Sequence, residues 1–399
     1  MKTPLKQHLI DPEICIRCNT CEETCPNGAV THNDDNYVVI AEKCNYCMDC
    51  ISPCPTGAID NWRLVPEPYS RDAQFGWDEL PEQTSLGANG AGSEPDVVEA
   101  LDDDVVQLLK EAHEGVGGRS VRPQSASKPS VNLFNRNKPA IATVQANYRL
   151  TRPDVENDVR HLILGLGDQV FPVLEGQSVG IIPPGLDEKG QPHRARLYSV
   201  ACPRDHEKPN ANNIALTVKR EPGGVCSNYV CDLAKGDTVE LTGPYGATFL
   251  MPDDPSANII MICTGTGSAP FRGFTMRRRR SAPEAQGHLI LYFGARTPEE
   301  LPYFGPLKRV PESIMTQRLV YSRIEGQPKQ YVQDQMRKDA GMLSPYLADD
   351  RTHIYVCGLK GMEEGVEAAL GEICGHAGLA WDDQRARMRR EGRLHIETY

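Results

Sequence analysis

Two copies of one cysteine run constrain the front of this chain more than any other feature. Cys15-x2-Cys18-x2-Cys21-x3-Cys25-Pro26 recurs as Cys44-x2-Cys47-x2-Cys50-x3-Cys54-Pro55, so eight of the 14 cysteines lie within the first 54 residues. A C-x2-C-x2-C run wraps three thiolates around one [4Fe–4S] cube, and the fourth comes from the trailing cysteine of the other run. The spacing predicts one cluster on Cys15, Cys18, Cys21 and Cys54 and a second on Cys44, Cys47, Cys50 and Cys25. Two zinc sites are the alternative, because paired C-x2-C spacings also suit a tetrahedral ion, but zinc does not need a trailing Cys-Pro in both runs. A disulfide framework is not expected, since no secretory signal is read before the cysteines and disulfides are rare in reducing compartments.

A chain of 399 residues holds two or three domains. Its apolar runs are far short of a membrane span, so a soluble protein is expected, and the free thiols point to the cytoplasm. The formal net charge of −11 is unevenly placed. Residues 1–62 carry 4 basic and 9 acidic side chains, residues 63–118 carry 3 and 13, and the rest carry 36 and 32. An acidic front and a mildly basic rear argue against nucleic acid as the main partner and fit charge steering between protein modules.

Residues 1–62 read as a small iron–sulfur unit with a 29-residue internal repeat, stabilised largely by its clusters. Residues 63–138 are rich in Pro, Gly, Ser and acid and read as a linker that keeps this unit near the rest. Within it, Val98, Leu101, Val105 and Leu108 recur at helical spacing, which suggests a short helix packed on its own domain, with a partner-docking helix as the alternative. Residues 139–252 show short β-branched segments, among them Ala140–Ala146, Ser178–Ile182, Ile214–Lys219 and Thr238–Thr242, that suggest a small antiparallel barrel. Over residues 253–399 the apolar runs Ile259–Cys263, Leu289–Phe293, Arg318–Ser322 and Ile354–Cys357 alternate with helical stretches, the pattern of a doubly wound parallel sheet.

Four motifs in the rear carry cofactor chemistry. Arg196-Leu197-Tyr198-Ser199 offers a guanidinium fork for a diphosphate, a flat ring for an isoalloxazine and a hydroxyl for a flavin nitrogen. Gly223-Gly224-Val225-Cys226-Ser227-Asn228 is a glycine turn opening a helix, whose amides suit a phosphate. Thr264-Gly265-Thr266-Gly267-Ser268-Ala269-Pro270 follows a strand and opens a helix; Pro270 replaces the third glycine of the dinucleotide fingerprint. Cys357-Gly358-Leu359-Lys360-Gly361 ends another strand, at the sheet edge where ligands gather.

Together with TVK (217–219), LTGPYG (241–246), YSR (321–323), KQYVQ (329–333) and HIETY (395–399), these motifs make residues 139–399 similar to plant-type ferredoxin–NADP reductases over their whole length. The first 62 residues resemble bacterial two-cluster ferredoxins. The fusion in this order resembles the reductase components of benzoyl-CoA epoxidases. The resemblance implies a multidomain fold: an α+β two-cluster ferredoxin, an antiparallel β-barrel FAD domain and an α/β doubly wound NADP domain. It implies that Arg196 holds the FAD diphosphate, Tyr198 stacks on the flavin and Ser199 bonds near N5. Leu197, Thr217, Val218, Lys219, Val225, Cys226 and Ser227 complete the FAD site. Thr266 and Cys357 then lie near the nicotinamide, and Ala295, Arg296, Gly358 and Leu359 along the dinucleotide path. Ser322, Arg323, Lys329 and Tyr331 surround the 2′-phosphate, with Gln333 beside the adenine. Glu397 takes part in proton and electron passage, and Tyr399 covers the flavin face. The resemblance breaks between Lys219 and Gly223, where Arg220-Glu221-Pro222 replaces a longer loop whose Tyr packs on the FAD adenine.

Cys202, Cys231, Cys263 and Cys374 read as buried small hydrophobes. The run Arg277–Arg280 reads as a solvated helix face, with a docking patch for the acidic front as the alternative, and the same applies to Arg385–Arg393. The expected activity is electron transfer from NADPH through FAD and two [4Fe–4S] clusters. The resemblance implies a separate oxygenase component as acceptor, a di-iron protein that epoxidises benzoyl-CoA. A general ferredoxin–NADP reductase and a zinc-stabilised redox-sensing protein are the competing readings.

Overall fold

The computed structural model describes residues 5–13, 15–51, 54, 58–59, 62–81, 105, 107, 121–208 and 211–398. The front unit begins with β1 (Leu5–Gln7), a hairpin of β2 (Val30–His32) and β3 (Tyr37–Val39), and β4 (Arg63–Val65), which pairs antiparallel with β1. Its small core of Ile10, Val30, Val39, Ala58 and Ile59 includes Cys21 and Cys50. The internal repeat is visible in the backbone. Arg17 and Asn19 (φ 56° and 63°) are matched 29 residues on by Tyr46 and Met48 (φ 58° and 70°). Left-handed non-glycine residues are uncommon, and here they turn each cysteine loop back on itself.

The boundary expected at residue 62 moves. Register with Leu5–Gln7 places Arg63–Val65 in the front unit. The helix Arg71–Phe75, capped by Ser70, follows it there, because the Gln74 side chain accepts from Val39 N (3.2 Å) and donates to Val39 O (2.9 Å). A polar side chain thus supplies the ladder partner that β3 lacks on that edge. The helix expected around Val98–Leu108 lies outside the described residues except at Val105 and Gln107, which are helical, Val105 being buried.

Six strands build the barrel: β5 (Ala140–Arg149), β6 (Val159–Gly165), β7 (Ser178–Ile182), β8 (Arg196–Ser199), β9 (Asn213–Lys219) and β10 (Thr238–Tyr245). Their order is β8-β7-β10-β5-β6-β9, all antiparallel, and a Val200–Leu216 bridge closes the ring. Alternation along β5 sends Ala140, Ala142 and Val144 inward, where they meet Leu162, Leu164, Val179, Ile181, Leu216 and Leu241. The helix Val225–Asp232 joins this core through Cys226, Val230 and Cys231.

The last domain is a parallel sheet of β11 (Asn258–Thr264), β12 (Leu289–Ala295), β13 (Met315–Tyr321), β14 (Thr352–Gly358) and β15 (Leu394–Thr398), in the order β13-β12-β11-β14-β15. Helices cover both faces. Ile260, Ile262, Ile354 and Val356 pack on one side and Ile259, Met261, Cys263, Tyr355 and Cys357 on the other, hence the unbroken apolar runs. The chain order reverses between β11 and β14. Ligands bind at such a switch point, outside the carboxyl ends of the strands.

The front unit sits on the barrel-and-sheet half through a buried contact rather than only at the end of a tether. Met48, Trp62 and Leu64 share one apolar cluster with Ala126, Leu174 and Leu250. Two of the four arginines read as a solvated helix face are buried. Arg277 donates to Asn45 O of the front unit (3.3 Å), and Arg278 donates to Gly287 O and Ala257 O (2.6 and 3.0 Å). Arg280 reaches Asp205 and the His206 and Glu207 carbonyls, and Arg279 is exposed. In the second basic run Arg385 bonds Glu367, and Arg393 is buried against Glu391. Among the described residues no helix is long and apolar enough to cross a membrane.

Candidate active site and redox centres

Cys15, Cys18, Cys21 and Cys54 line one cavity with Ile10, Ile16, Asn19, Tyr37, Ala58 and Ile59. This brings together three cysteines of the first run and the last of the second, the set that a cube bound across both runs requires. Thiols Cys25, Cys44, Cys47 and Cys50 lie within electrostatic range of one another, with Cys44 and Cys25 both acting on Cys50. All eight are free thiols, so no disulfide competes for them. The two loops differ in exposure: Cys47 and Cys50 are buried, whereas Cys18 is exposed.

On the barrel, β8 carries Arg196 exposed at its start and Leu197, Tyr198 and Ser199 half-buried. The Tyr198 ring packs on the barrel core; burial, then the neighbouring Cys226 thiol, pushes its phenol far above its ordinary value, so it stays neutral and aromatic. Across the groove Gly223 (φ 71°) turns the chain into the Val225–Asp232 helix, with Val225 exposed. Cys226 is buried, and Ser227 Oγ accepts from Glu221 N (3.1 Å). The side chains of Thr217 and Val218 point elsewhere: Thr217 Oγ1 pairs with Tyr303 Oη (2.6 Å) and Val218 lies in the barrel core. Only their backbone can meet a ligand. Lys219 pairs with Glu221 (2.7 Å) in a surface ion pair of little strength, which leaves the ammonium exchangeable. The short loop here is held by Arg220, which bonds Asp158, Asn228 and Asp232 (3.1, 3.0 and 2.7 Å).

The sheet edge facing this groove is built by close backbone approach. A Cβ on Gly267 would lie 2.1 Å from Cys357 O, and Gly358 (φ 147°) would bring one within 2.5 Å of Thr264 Oγ1. Glycine is required at both, and Thr266, Cys357, Gly358 and exposed Leu359 are thereby gathered at the switch point. In register, Cys263 faces Cys357 on β14, which faces Glu397 on β15. Burial raises the Glu397 carboxyl to about 8, and burial, then Glu397, pushes the Cys357 thiol well up. Burial therefore favours the protonated, uncharged form of both groups. Tyr399 lies outside the described residues.

Further along the edge, Ser322 N donates to Ala295 O (3.0 Å) and Arg323 N to Arg296 O (2.8 Å), extending β13 and β12 past the sheet. Arg323, Lys329 and Tyr331 are exposed, and Tyr331 caps the helix Val332–Lys338. Among the described residues no carboxylate lies within ion-pair distance of Arg323 or Lys329. Arg296 is 4.0 Å from Glu156, and Gln333 lies against Gly365.

Sequence motifs gave no sign of the clamp between barrel and sheet. Tyr303 Oη meets Thr217 and His161 Nδ1 (2.8 Å), and Arg272 forms a two-pronged pair with Glu207 (both 2.7 Å) while donating to Ala201 O (2.7 Å). Burial would raise the Glu207 carboxyl, but His161, 3.5 Å away, and the two-pronged Arg272 pair win and hold it at about 2. Ala201 lies two residues beyond Ser199 and Arg272 four beyond Ser268, so this clamp sets the RLYS strand against the GTG turn. Its signal was long-range, between side chains 65 to 142 residues apart.

This arrangement matches known proteins. Residues 150–249 match the oxidoreductase FAD-binding domain, residues 261–368 the oxidoreductase NAD-binding domain, and residues 14–58 the 4Fe-4S dicluster domain. Ferredoxin–NADP reductase of Synechocystis sp. is 36% identical over 296 residues, which cover 70% of this chain and 72% of that protein. The chain belongs to the ferredoxin–NADP reductase family. The Spirulina sp. member is 36% identical over 67% of this chain and 98% of its own length. A solved ferredoxin–NADP+ reductase from Plasmodium falciparum superposes with a TM-score of 0.55 at 25% identity, covering 67% of this chain and 99% of that one. The ferredoxin–NADP reductase fold thus accounts for barrel and sheet, and the dicluster domain for the front. The protein is an oxidoreductase of the ferredoxin–NADP reductase type carrying an iron–sulfur domain.

The raised Glu397 carboxyl has a consequence for stability. Below its ordinary value of 4.5 the group is neutral in both folded and unfolded chains. From there to about 8 only the unfolded chain ionises, so its contribution is lost as pH rises through the folded value. Glu397→Gln is expected to remove this loss. Thermal midpoints between about pH 5 and pH 9 should fall more steeply in wild type than in the variant; parallel curves would contradict the assignment.

Proposed function

We propose that the protein carries electrons from NADPH, through FAD and two [4Fe–4S] clusters, to a separate oxygenase component. The observation that carries this reading is the convergence of three sets of groups: the RLYS strand, the buried Cys357–Glu397 pair, and Arg323 and Lys329, which have no carboxylate partner among the described residues. The residues fit the cofactors. Arg196 is free to reach a diphosphate, Tyr198 offers a neutral ring, and four cysteines drawn from both runs line one cavity. When bound, FAD supplies the conversion of a two-electron hydride into single electrons, which the iron–sulfur cubes carry one at a time. The chain's own work is to bind and orient. Arg196 and Val225 to Ser227 hold FAD. Ser199 would offer its hydroxyl to the flavin, and Thr266 and Cys357 would line the nicotinamide side. Ser322, Arg323, Lys329 and Tyr331 hold the 2′-phosphate. Glu397 would hold or pass a proton, and the resemblance assigns the flavin face to Tyr399, which lies outside the described residues.

By resemblance the acceptor is a di-iron oxygenase that epoxidises benzoyl-CoA in aerobic aromatic catabolism, and the setting is the cytoplasm. An anaerobic titration of the holoprotein with NADPH tests the core of this reading. Bleaching of the flavin followed by the electron-paramagnetic signals of two reduced cubes is expected. Zinc in place of iron, or a flavin that NADPH does not bleach, would defeat it. The acceptor is tested by mixing the reduced protein with a purified di-iron oxygenase and benzoyl-CoA. NADPH and oxygen should be consumed together only when both are present. Equal turnover with unrelated acceptors would favour a general ferredoxin–NADP reductase.

A further inference from the structure

We propose that Arg204 and Ser127 are positioning residues that pin the loop of the second cluster to the flavin domain. That cluster is then the flavin's internal electron acceptor, and the first cluster is the exit to the outside partner. The inference rests on the electron-transfer reading above and deepens it.

The pin is a single backbone atom held from two sides. Cys47 O accepts from Arg204 Nη1 (2.6 Å) and lies 3.0 Å from Ser127 Oγ, which accepts from Arg204 Nη1 (3.0 Å) and shares its single proton between Cys47 O and Asp253 Oδ2 (2.5 Å). Arg204 is itself immobilised. Its Nε and Nη2 both donate to one Glu175 oxygen (2.9 and 2.7 Å), its amide donates to the other (2.7 Å), and Nη2 lies 2.9 Å from Asp253 Oδ1. Ser127 N donates to Asp253 Oδ2 (2.8 Å). Arg204, Glu175 and Ser127 are all buried. A buried ionic node of this kind is weak evidence of stability, because desolvation offsets its attraction. Its geometric demand is high, which suits a device that fixes orientation.

The same patch reaches the flavin side. Met48, next to Cys47, packs in one cluster with Leu250. Leu250 O accepts from Tyr355 Oη (2.5 Å), and the Tyr355 ring stacks on His395 at 4.5 Å. Cys357 and Glu397 lie two residues further along the same paired strands, about 7 Å away at the usual rise. Lys6 closes the margin, donating to Arg204 O (3.3 Å) with its ammonium 3.6 Å from the Trp62 ring centre. The first cluster's loop looks the other way: Cys18 is exposed and Ile16 is 63% exposed. The electrons balance. One NADPH delivers two with its hydride and FAD takes up one further proton. Reoxidation of the flavin releases two protons and two electrons, and each cube accepts one electron at a time.

The test uses the holoprotein and its Arg204→Lys and Ser127→Ala variants. Each is mixed with NADPH without oxygen, frozen at successive times and examined by electron-paramagnetic resonance, with flavin bleaching followed in parallel. Flavin reduction should keep its wild-type rate, while cluster reduction slows about tenfold or more, as expected when small misplacements separate reacting partners. The signal that appears first in wild type should be the one whose g-values the variants shift. Amide exchange over residues 44–50 should also accelerate. Unchanged cluster reduction, a first-appearing signal that neither variant perturbs, or unchanged exchange would each overturn the proposal. So would a lowered melting point with wild-type kinetics, the mark of a merely structural role. Ser127→Ala guards against misfolding of the arginine variant, since it removes the hydroxyl that links Arg204, Asp253 and Cys47 O while Asp253 keeps Arg204 and the residue 127 amide as partners. If NADPH fails to reduce even the wild-type flavin, the functional reading falls, and the exchange measurement still decides whether the two residues pin the loop.

Discussion

Replacing Cys18 by serine is expected to lower the iron content from about eight to about four atoms per FAD, with flavin still bound. Cys18 lines the cavity shared with Cys15, Cys21 and Cys54, on the exposed side of the front unit. The barrel core contains no residue of that unit, so the flavin site keeps its support. Cys50→Ser should do more damage. Cys50 is 7% exposed and packs in the core of the small unit, and its cluster is the one nearest the interface with Leu174 and Leu250. A module with so little apolar core depends on its metal for folding, so this variant should lose most of its iron and the protection of residues 44–50. Iron and FAD analysis decides the first point: about eight irons per FAD in Cys18→Ser would remove the assignment.

Arg323→Ala is expected to reduce the preference for NADPH over NADH by about ten- to a hundredfold, the effect of losing one charge-assisted hydrogen bond of roughly 1.5–3 kcal/mol. Arg323 and Lys329 are exposed and lack carboxylate partners among the described residues, so neither charge is already committed. The 2′-phosphate is what distinguishes the two nucleotides, so the loss should fall on NADPH and leave NADH nearly untouched. Lys329→Ala should act in the same direction. Arg323→Lys should recover only part, because an ammonium keeps the charge and loses the planar fork. The readout is the ratio of kcat/KM for the two nucleotides; an unchanged ratio in Arg323→Ala would show that the phosphate binds elsewhere.

Much of the architecture was legible because its signals are local. Cluster spacing is a matter of a few residues, and buried parallel strands announce themselves as apolar runs, so the runs for β11, β12 and β14 fall within two residues of the observed bounds; the antiparallel β7 matches its bounds because its segment is short, apolar and closed by Pro183. The run expected for β13 starts three residues late and ends one late, since its middle carries Gln317 and Arg318. β6 and β15 carry no strand signal of this kind. His161 interrupts the first, and the second is five residues long and polar at alternate positions. The site motifs were legible as turns and strand ends. That Thr217 and Val218 offer only backbone could not be seen, because strand phase within a closed barrel decides which side chains face the core.

The amino-acid sequence by itself determined which chemistry the chain can hold: eight thiolates at cluster spacing, a barrel strand carrying RLYS, and glycine turns at two strand ends. Ligand spacing, strand period and turn geometry are all set within a dozen residues. Only the tertiary structure decided how these pieces are joined. It extended the front unit to β4 and the Arg71–Phe75 helix, and it buried Arg277 against Asn45. It also brought Arg204 onto Cys47, 157 residues away. Contacts across such separations depend on complementary shape and on charges desolvated together, and neither leaves a periodic trace along the chain.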